Sequence, residues 1–172
     1  MERFYVTKGD IVRAKTQAIV NAANTSLLGG GGVDGAIHRA AGPELLLECE
    51  TLGGCKTGEA KLTGGYKLKA QYVIHTPGPI WRGGNWGEEE LLANCYKNCL
   101  QLARQHEITT IAFPSISTGV YRFPVELAAS IAVREIVSFL ENDQQMEQVL
   151  MVCFDDTTYQ AYEAERKKYI KA

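Results

Sequence analysis

The chain has 172 residues, a length that fits one domain better than two. Hydrophobic residues make up 45% of it and charged residues 22%, which excludes a disordered chain. Eighteen basic residues against 20 acidic ones leave a net charge of −2, far from the phosphate-neutralising excess of a bulk nucleic-acid binder. No direct contact with nucleic acid is expected, and any phosphate must be held by backbone amides. The five cysteines (Cys49, Cys55, Cys95, Cys99 and Cys153) are odd in number, form no CxxC pair and suit a reducing compartment. Cys95 and Cys99 share a helix face, but a metal site needs two further ligands that have no candidate. Core packing is the reading for them, and neither metal nor cofactor is expected. Nothing in the first residues has the apolar core of a signal peptide, and no run approaches the roughly 20 apolar residues of a membrane span. The expectation is a soluble, cytoplasmic protein.

In chain order, a β-branched and aromatic run predicts a strand over 4–7 and another over 18–21. A glycine loop follows, then helical patterns over 35–41 and 44–52, with Pro43 placed near a helix start. A weaker strand over 59–63 and a strong one over 72–76 come next. The Pro- and Gly-rich stretch 77–87 leads into a helix over 88–105, on which Leu91, Leu92, Cys95, Cys99 and Leu102 share a face. Strand and helix here each need the other half of the chain to cover them, so the stretch is a surface loop rather than a linker. A strand over 110–113, a helix over 124–140, a strand over 149–154 and a helix over 157–171 complete the pattern. The basic end of that last helix (Arg166, Lys167, Lys168, Lys171) complements its dipole. Strands alternating with helices, four of the strands apolar nearly throughout, imply a largely parallel sheet covered on both faces, an α/β/α sandwich. Ligands of such sheets sit at the carboxyl ends of the strands, which puts the loops after Asn21 and Phe113 on the functional rim.

Sixteen of the 17 glycines precede residue 88, and four of them, Gly29 to Gly32, are consecutive. Such a run is costly in backbone entropy and packs nothing. It allows close backbone approach, with several N–H groups facing an anion just before a helix N-terminus. A phosphate or pyrophosphate fits; the plain alternative is a flexible loop without a ligand. Gly30, Gly32 and Gly35 satisfy the dinucleotide fingerprint literally, but Asn24 to Leu28 separate the loop from its strand and no acidic strand end follows. A phosphate-binding P-loop is excluded, because Ala36-Ile37 stands where Lys-Ser/Thr is required. Asp34 is the oddity. A carboxylate in a phosphate cradle repels the ligand unless it meets a hydroxyl, a water or a leaving group. It reads equally as a helix N-cap or as a catalytic group. His38 lies one turn along the same face, where packing is the default reading. A second strand–loop–helix passage, 114–121, offers Ser115, Ser117, Thr118 and Gly119, and two such loops on one rim suit a diphosphate gripped from both sides.

Taken together, Gly9-Asp10-Ile11, the run 21–24, the run 29–38 followed by Ala40-Ala41-Gly42-Pro43, Thr57-Gly58-Glu59-Ala60 and the run 112–120 resemble a macrodomain of the MacroD type. The match runs from about residue 4 to about 155, with the motifs in family order and spacing. The resemblance implies that 1–172 is a single macrodomain, a three-layer α/β/α sandwich with a mixed, largely parallel sheet. It implies an ADP-ribose cleft at the rim and hydrolysis of ADP-ribose esters, both mono-ADP-ribose on Asp/Glu side chains of proteins and O-acetyl-ADP-ribose. Carried over by position, Asp10 would accept from the adenine amino group beside the Ile11 amide, and Phe154 would lie against the ring. Ala22, Gly30, Gly31, Gly32 and Val33 on one side, and Ser117, Thr118, Gly119, Val120 and Tyr121 on the other, would clamp the diphosphate and distal ribose. Asn24 would fix the ribose hydroxyls and Asp34 would orient or deprotonate water. An ordinary carboxylate is a weak base near neutrality, which favours positioning. The loop 77–87, with Trp81 and Trp86, is less diagnostic of the family; apart from the resemblance, it is read as a lid over the acyl group. His75 in a core strand and His106 at a helix end read as structural. Three rival readings remain: a non-catalytic reader of ADP-ribosylated protein, a regulator acting through a protein partner, and an ADP-ribose 1″-phosphate phosphatase.

Overall fold

The structure is a computed structural model and describes residues 2–170. Six strands form one sheet: β1 (Phe4–Lys8), β2 (Ala18–Ala23), β3 (Lys61–Gly64), β4 (Tyr72–Pro77), β5 (Thr110–Phe113) and β6 (Gln148–Cys153), in the spatial order β1-β6-β5-β2-β4-β3. Every neighbouring pair is parallel except β3 with β4, so the sheet is mixed and largely parallel, as expected. Five α-helices cover it: α1 (Gly32–Ala41), α2 (Pro43–Glu50), α3 (Glu88–Gln105), α4 (Val125–Glu141) and α5 (Asp156–Ile170).

Alternation along each strand divides the side chains between two cores. Ile19 and Ala23 of β2, Val73 of β4 and Ala112 of β5 pack with Ile37 of α1 and Leu45 and Cys49 of α2. Val20, Ile74 and Phe113, from the same strands, point the other way into α3, α4 and α5. Phe113 meets Tyr96 of α3 with ring centroids 5.1 Å apart. All five cysteines are free and buried; Cys95 and Cys99 lie together on the inner face of α3, in the core role read for them.

Most element ends shift by one or two residues from expectation, β3 starting at Lys61 rather than 59 and α2 ending at Glu50 rather than 52, and larger differences fall at the rim. A short 3-10 turn, Ile11–Arg13, follows β1; at three residues it is too brief to leave a periodic pattern. α1 begins at Gly32 rather than at 35, so the last residue of the glycine run is helical. β6 stops at Cys153, leaving Phe154 in the loop beyond it. α5 ends the description at Ile170, and Lys171, assigned to its basic end, lies outside the described residues. The parallel strands bring their carboxyl ends to one rim, with Lys8 beside Cys153, Phe113 beside Met151, and Ala23 beside Pro77. No helix among the described residues is long and apolar enough to cross a membrane.

Candidate active site

The loop leaving β2 is shaped by Asn24. Its Oδ1 accepts from the Leu27 N–H at 3.0 Å and from Ser26 Oγ at 2.6 Å, while Nδ2 donates to the Gly29 carbonyl at 2.7 Å. One side chain thus ties the start of the loop to the first glycine, and Nδ2 retains a second hydrogen for a ligand. The glycines then turn into α1. Gly32, first in the helix, has φ of +57°, a conformation glycine adopts without penalty. A Cβ on Gly35 would fall 2.5 Å from the Gly30 carbonyl oxygen, so the helix can lie this close to the loop only with glycine there.

The N-cap of α1 is Gly31, which corrects the N-cap reading of Asp34: the aspartate is the third helical residue. Its side chain turns into the protein and is only 5% exposed. Oδ1 accepts from Asn21 Nδ2 at 2.9 Å and lies 3.4 Å from His38 Nε2. Oδ2 faces the loop, 3.2 Å from the point where a Cβ on Gly30 would stand. His38, read by default as a packing residue, therefore stands beside Asp34. Its Nε2 and the Asn21 Oδ1 are both buried without a hydrogen-bond partner among the described residues. Behind Asn21 a polar track continues through His75 to Thr63 of β3 and Cys49 of α2. Sequence reasoning gave Asn21 no side-chain role and His75 only a structural one. The available signal was an Asn at an inward-facing position of an otherwise apolar strand.

The second loop crosses the rim from β5. Ser117 is held in a left-handed conformation, φ +68°, and buried, with an unpartnered Oγ. A Cβ on the neighbouring Gly78 would overlap that hydroxyl. Ser115 Oγ meets Thr118 Oγ1 at 2.6 Å and Tyr162 OH at 2.8 Å, which fastens the loop to α5. Gly119 and Val120 stand free at the tip, and the Tyr121 carbonyl accepts from the Trp81 N–H at 2.9 Å. Gly30, Gly31, Gly32 and half-buried Val33 and Ala22 line the opposite loop. At the far end of the rim, Asp10 Oδ1 caps the 3-10 turn by accepting from the Val12 N–H at 3.1 Å. Ile11 beside it is buried, whereas Phe154 is 88% exposed. The Gly9 N–H donates to the Cys153 carbonyl at 2.9 Å and brings these two groups together. β1 and β2 are three strand steps apart, roughly 14 Å at the usual spacing, so the rim joins two groups of residues across the length of an extended ligand.

Beyond Asn24 and Tyr121 the rim opens into a cavity of about 340 Å³, also lined by Thr57, Arg82, Trp86 and Leu91. Its roof, the passage from β4 to α3, is organised by Glu88. This buried carboxylate accepts from the N–H groups of Arg82 (2.8 Å), Gly84 (3.0 Å) and Trp86 (2.6 Å). Burial alone would raise its pKa, but the backbone donors hold it at about 2. Sequence reasoning missed Glu88, one of three consecutive glutamates that look alike in one dimension.

Fold, glycine loop and buried aspartate together define a class, and the chain belongs to the Macro domain family, whose profile matches residues 20–132. Among particular proteins, it is 60% identical over 155 residues to a macro domain-containing protein of Methanosarcina mazei, covering 90% of this chain and 83% of that one. It is 50% identical over 166 residues to O-acetyl-ADP-ribose deacetylase 1 of Pantoea vagans, covering 94% and 97% of the two chains. A mutant Oceanobacillus iheyensis macrodomain solved with ADPR superposes with a TM-score of 0.93 at 45% identity, covering 97% of this chain and 93% of that one.

Proposed function

We propose that this cleft binds ADP-ribose and that the chain hydrolyses its acyl esters, removing mono-ADP-ribose from Asp/Glu side chains and deacetylating O-acetyl-ADP-ribose. The observation that carries the reading is Asp34, a carboxylate buried inside an anion-binding loop with one oxygen directed at Gly30. A pure reader would gain nothing from that charge, which repels a diphosphate. The relative from Pantoea vagans, named as a deacetylase, supports the same reaction class. The whole of 1–172 is read as one macrodomain working in the cytoplasm, with ADP-ribose esters and mono-ADP-ribosylated proteins as its partners.

In this reading the Gly30–Val33 backbone and the tip from Ser117 to Tyr121 hold the diphosphate and distal ribose. Asp10, the Ile11 amide and Phe154 hold the adenine. Asn24 donates its free hydrogen to a ribose hydroxyl. Asp34 Oδ2 orients a water that attacks the ester carbonyl; the acyl–oxygen bond breaks, the ribose oxygen leaves as a hydroxyl and the acyl group as a carboxylate. The cavity under the Glu88-held roof receives the acyl group and what it is attached to. At about 340 Å³ it is in the range of ligand pockets and far exceeds an acetyl group, which favours a protein-linked ester.

The test is a release assay on protein carrying mono-ADP-ribose on Glu/Asp, run for wild type and Asp34→Ala, with calorimetry on free ADP-ribose. Release by wild type alone, with both proteins binding, is the expected result. Binding without release by either would make the chain a reader. Release from ADP-ribose 1″-phosphate in place of the esters would make it a phosphatase.

A further inference from the structure

The Asn21 amide donates a hydrogen bond to Asp34 at 2.9 Å, closer than His38 Nε2 at 3.4 Å, and its own orientation has to be fixed by something. Its Oδ1 is buried without a partner, so nothing holds the amide from that side. Its two N–H groups go to Asp34 Oδ1 at 2.9 Å and to His75 Nδ1 at 3.1 Å. An NH2 group only donates, so His75 Nδ1 must be bare and the ring proton must sit on Nε2. That nitrogen faces Thr63 Oγ1 at 2.9 Å, with Cys49 Sγ more distant at 3.9 Å. The Thr63 hydroxyl then uses its own hydrogen on the Gly64 carbonyl, at 3.1 Å. Donors and acceptors therefore run outward from the Asn21 amide, to Asp34 on one side and through His75 and Thr63 to the Gly64 carbonyl on the other, and reversing any link sets two acceptors or two donors face to face. The track is 0% exposed at Asn21, Thr63 and His75, so water cannot substitute for a missing partner.

We propose that His75 is a positioning residue for the hydrolysis. As the Nε2–H tautomer, held by Thr63, it accepts from Asn21 and so obliges the other Asn21 N–H to engage Asp34 Oδ1, which leaves Oδ2 as the oxygen presented to the loop. The inference rests on the reading of Asp34 in ester hydrolysis, but its first claim, the tautomer, does not depend on turnover. Burial, with His38 adding to it, lowers the ring's pKa to about 3, so the neutral form persists throughout the range in which the protein is handled. β2 and β4 supply the geometry, because their parallel register sets Asn21 directly beside His75.

The experiment has two arms. Nitrogen-15 NMR of the His-labelled protein should show His75 protonated at Nε2 and bare at Nδ1; the opposite assignment would overturn the proposal whatever the activity. In the second arm, His75→Leu removes the acceptor for Asn21, His75→Asn restores one at the Nδ1 position, and Thr63→Val removes the acceptor that holds the tautomer. His75→Leu is expected to lower kcat at least tenfold with the Kd for ADP-ribose unchanged within twofold, and His75→Asn to recover most of that loss. Thr63→Val, the mildest change, should lower kcat in the same sense and give a spectrum of mixed tautomers. Unchanged kcat in His75→Leu, or equal losses in the Leu and Asn variants, would reduce His75 to packing. If His75→Leu does not fold, Thr63→Val decides the question alone. A wild type without turnover would end the hydrolase reading, and the spectrum would still decide the tautomer.

Discussion

Asp34 is the residue on which the proposed chemistry turns. Replacing it by Ala should leave ADP-ribose binding within a few-fold and reduce ester turnover about 100-fold or more, the scale of loss when a reacting group is no longer held in position. Gly32→Glu tests the loop beside it. The substitution places a side chain at a φ of +57° and a negative charge at the mouth of the anion site, so calorimetry should register no binding at all. Gly35→Ala makes a subtler probe, because its Cβ would press on the Gly30 carbonyl at 2.5 Å. It should lower the melting temperature and weaken binding together. Asp34 stands out in the sequence as a carboxylate two residues past the glycine run, although its position alone reads equally as an N-cap and only the family resemblance favours catalysis. Asn21 and His75 do not. They stand 54 positions apart, and only the parallel register of β2 and β4 makes them neighbours.

Among the elements, the roof from β4 to α3 makes the most direct use of a single side chain. Glu88→Gln halves the acceptor capacity facing three N–H groups, so the roof should loosen, with a raised KM for protein-linked esters and little change for free ADP-ribose. The charge also has a pH signature. Glu88 is ionised down to about pH 2 in the folded chain but only to about 4.5 when unfolded. Its contribution to stability is complete above about 4.5 and is lost as pH falls toward 2. Denaturant midpoints of wild type and Glu88→Gln should therefore differ at pH 6 and converge toward pH 2. The sheet strands and the long helices were readable from their apolar patterns, since burial on both faces writes continuous apolar runs. The start of α1 was not, because glycine carries no periodic signal and its helical state depends on the loop that it abuts.

At the scale of the whole molecule, buried titratable groups set the limits of stability. His75 resists protonation down to about 3 whereas an unfolded histidine takes a proton near 6.5, so stability falls as pH drops through that interval. Burial pushes the Cys49 and Cys95 thiols up to about 11 and Cys153 up to about 12, against 9 when unfolded. Above pH 9 the unfolded chain loses protons that the native one keeps, and stability falls again. Urea midpoints should accordingly form a plateau between about pH 6.5 and 9, and thiol reagents should label the native protein slowly and the unfolded protein at all five cysteines. The same architecture governs timing. Among the described residues β1 has β6 as its one neighbour in the sheet, Arg3 donates to the Met146 carbonyl 143 positions away, and Arg166 reaches back 162 positions to the Phe4 carbonyl. Contacts of such sequence separation form late, after the entropy of closing a long loop has been overcome. On a ribosome, Phe4 and Val6 leave the exit tunnel long before the strand that will cover them is synthesised. Until then β1 is an unclaimed apolar ribbon, and the nascent chain depends on whatever shields it during that wait.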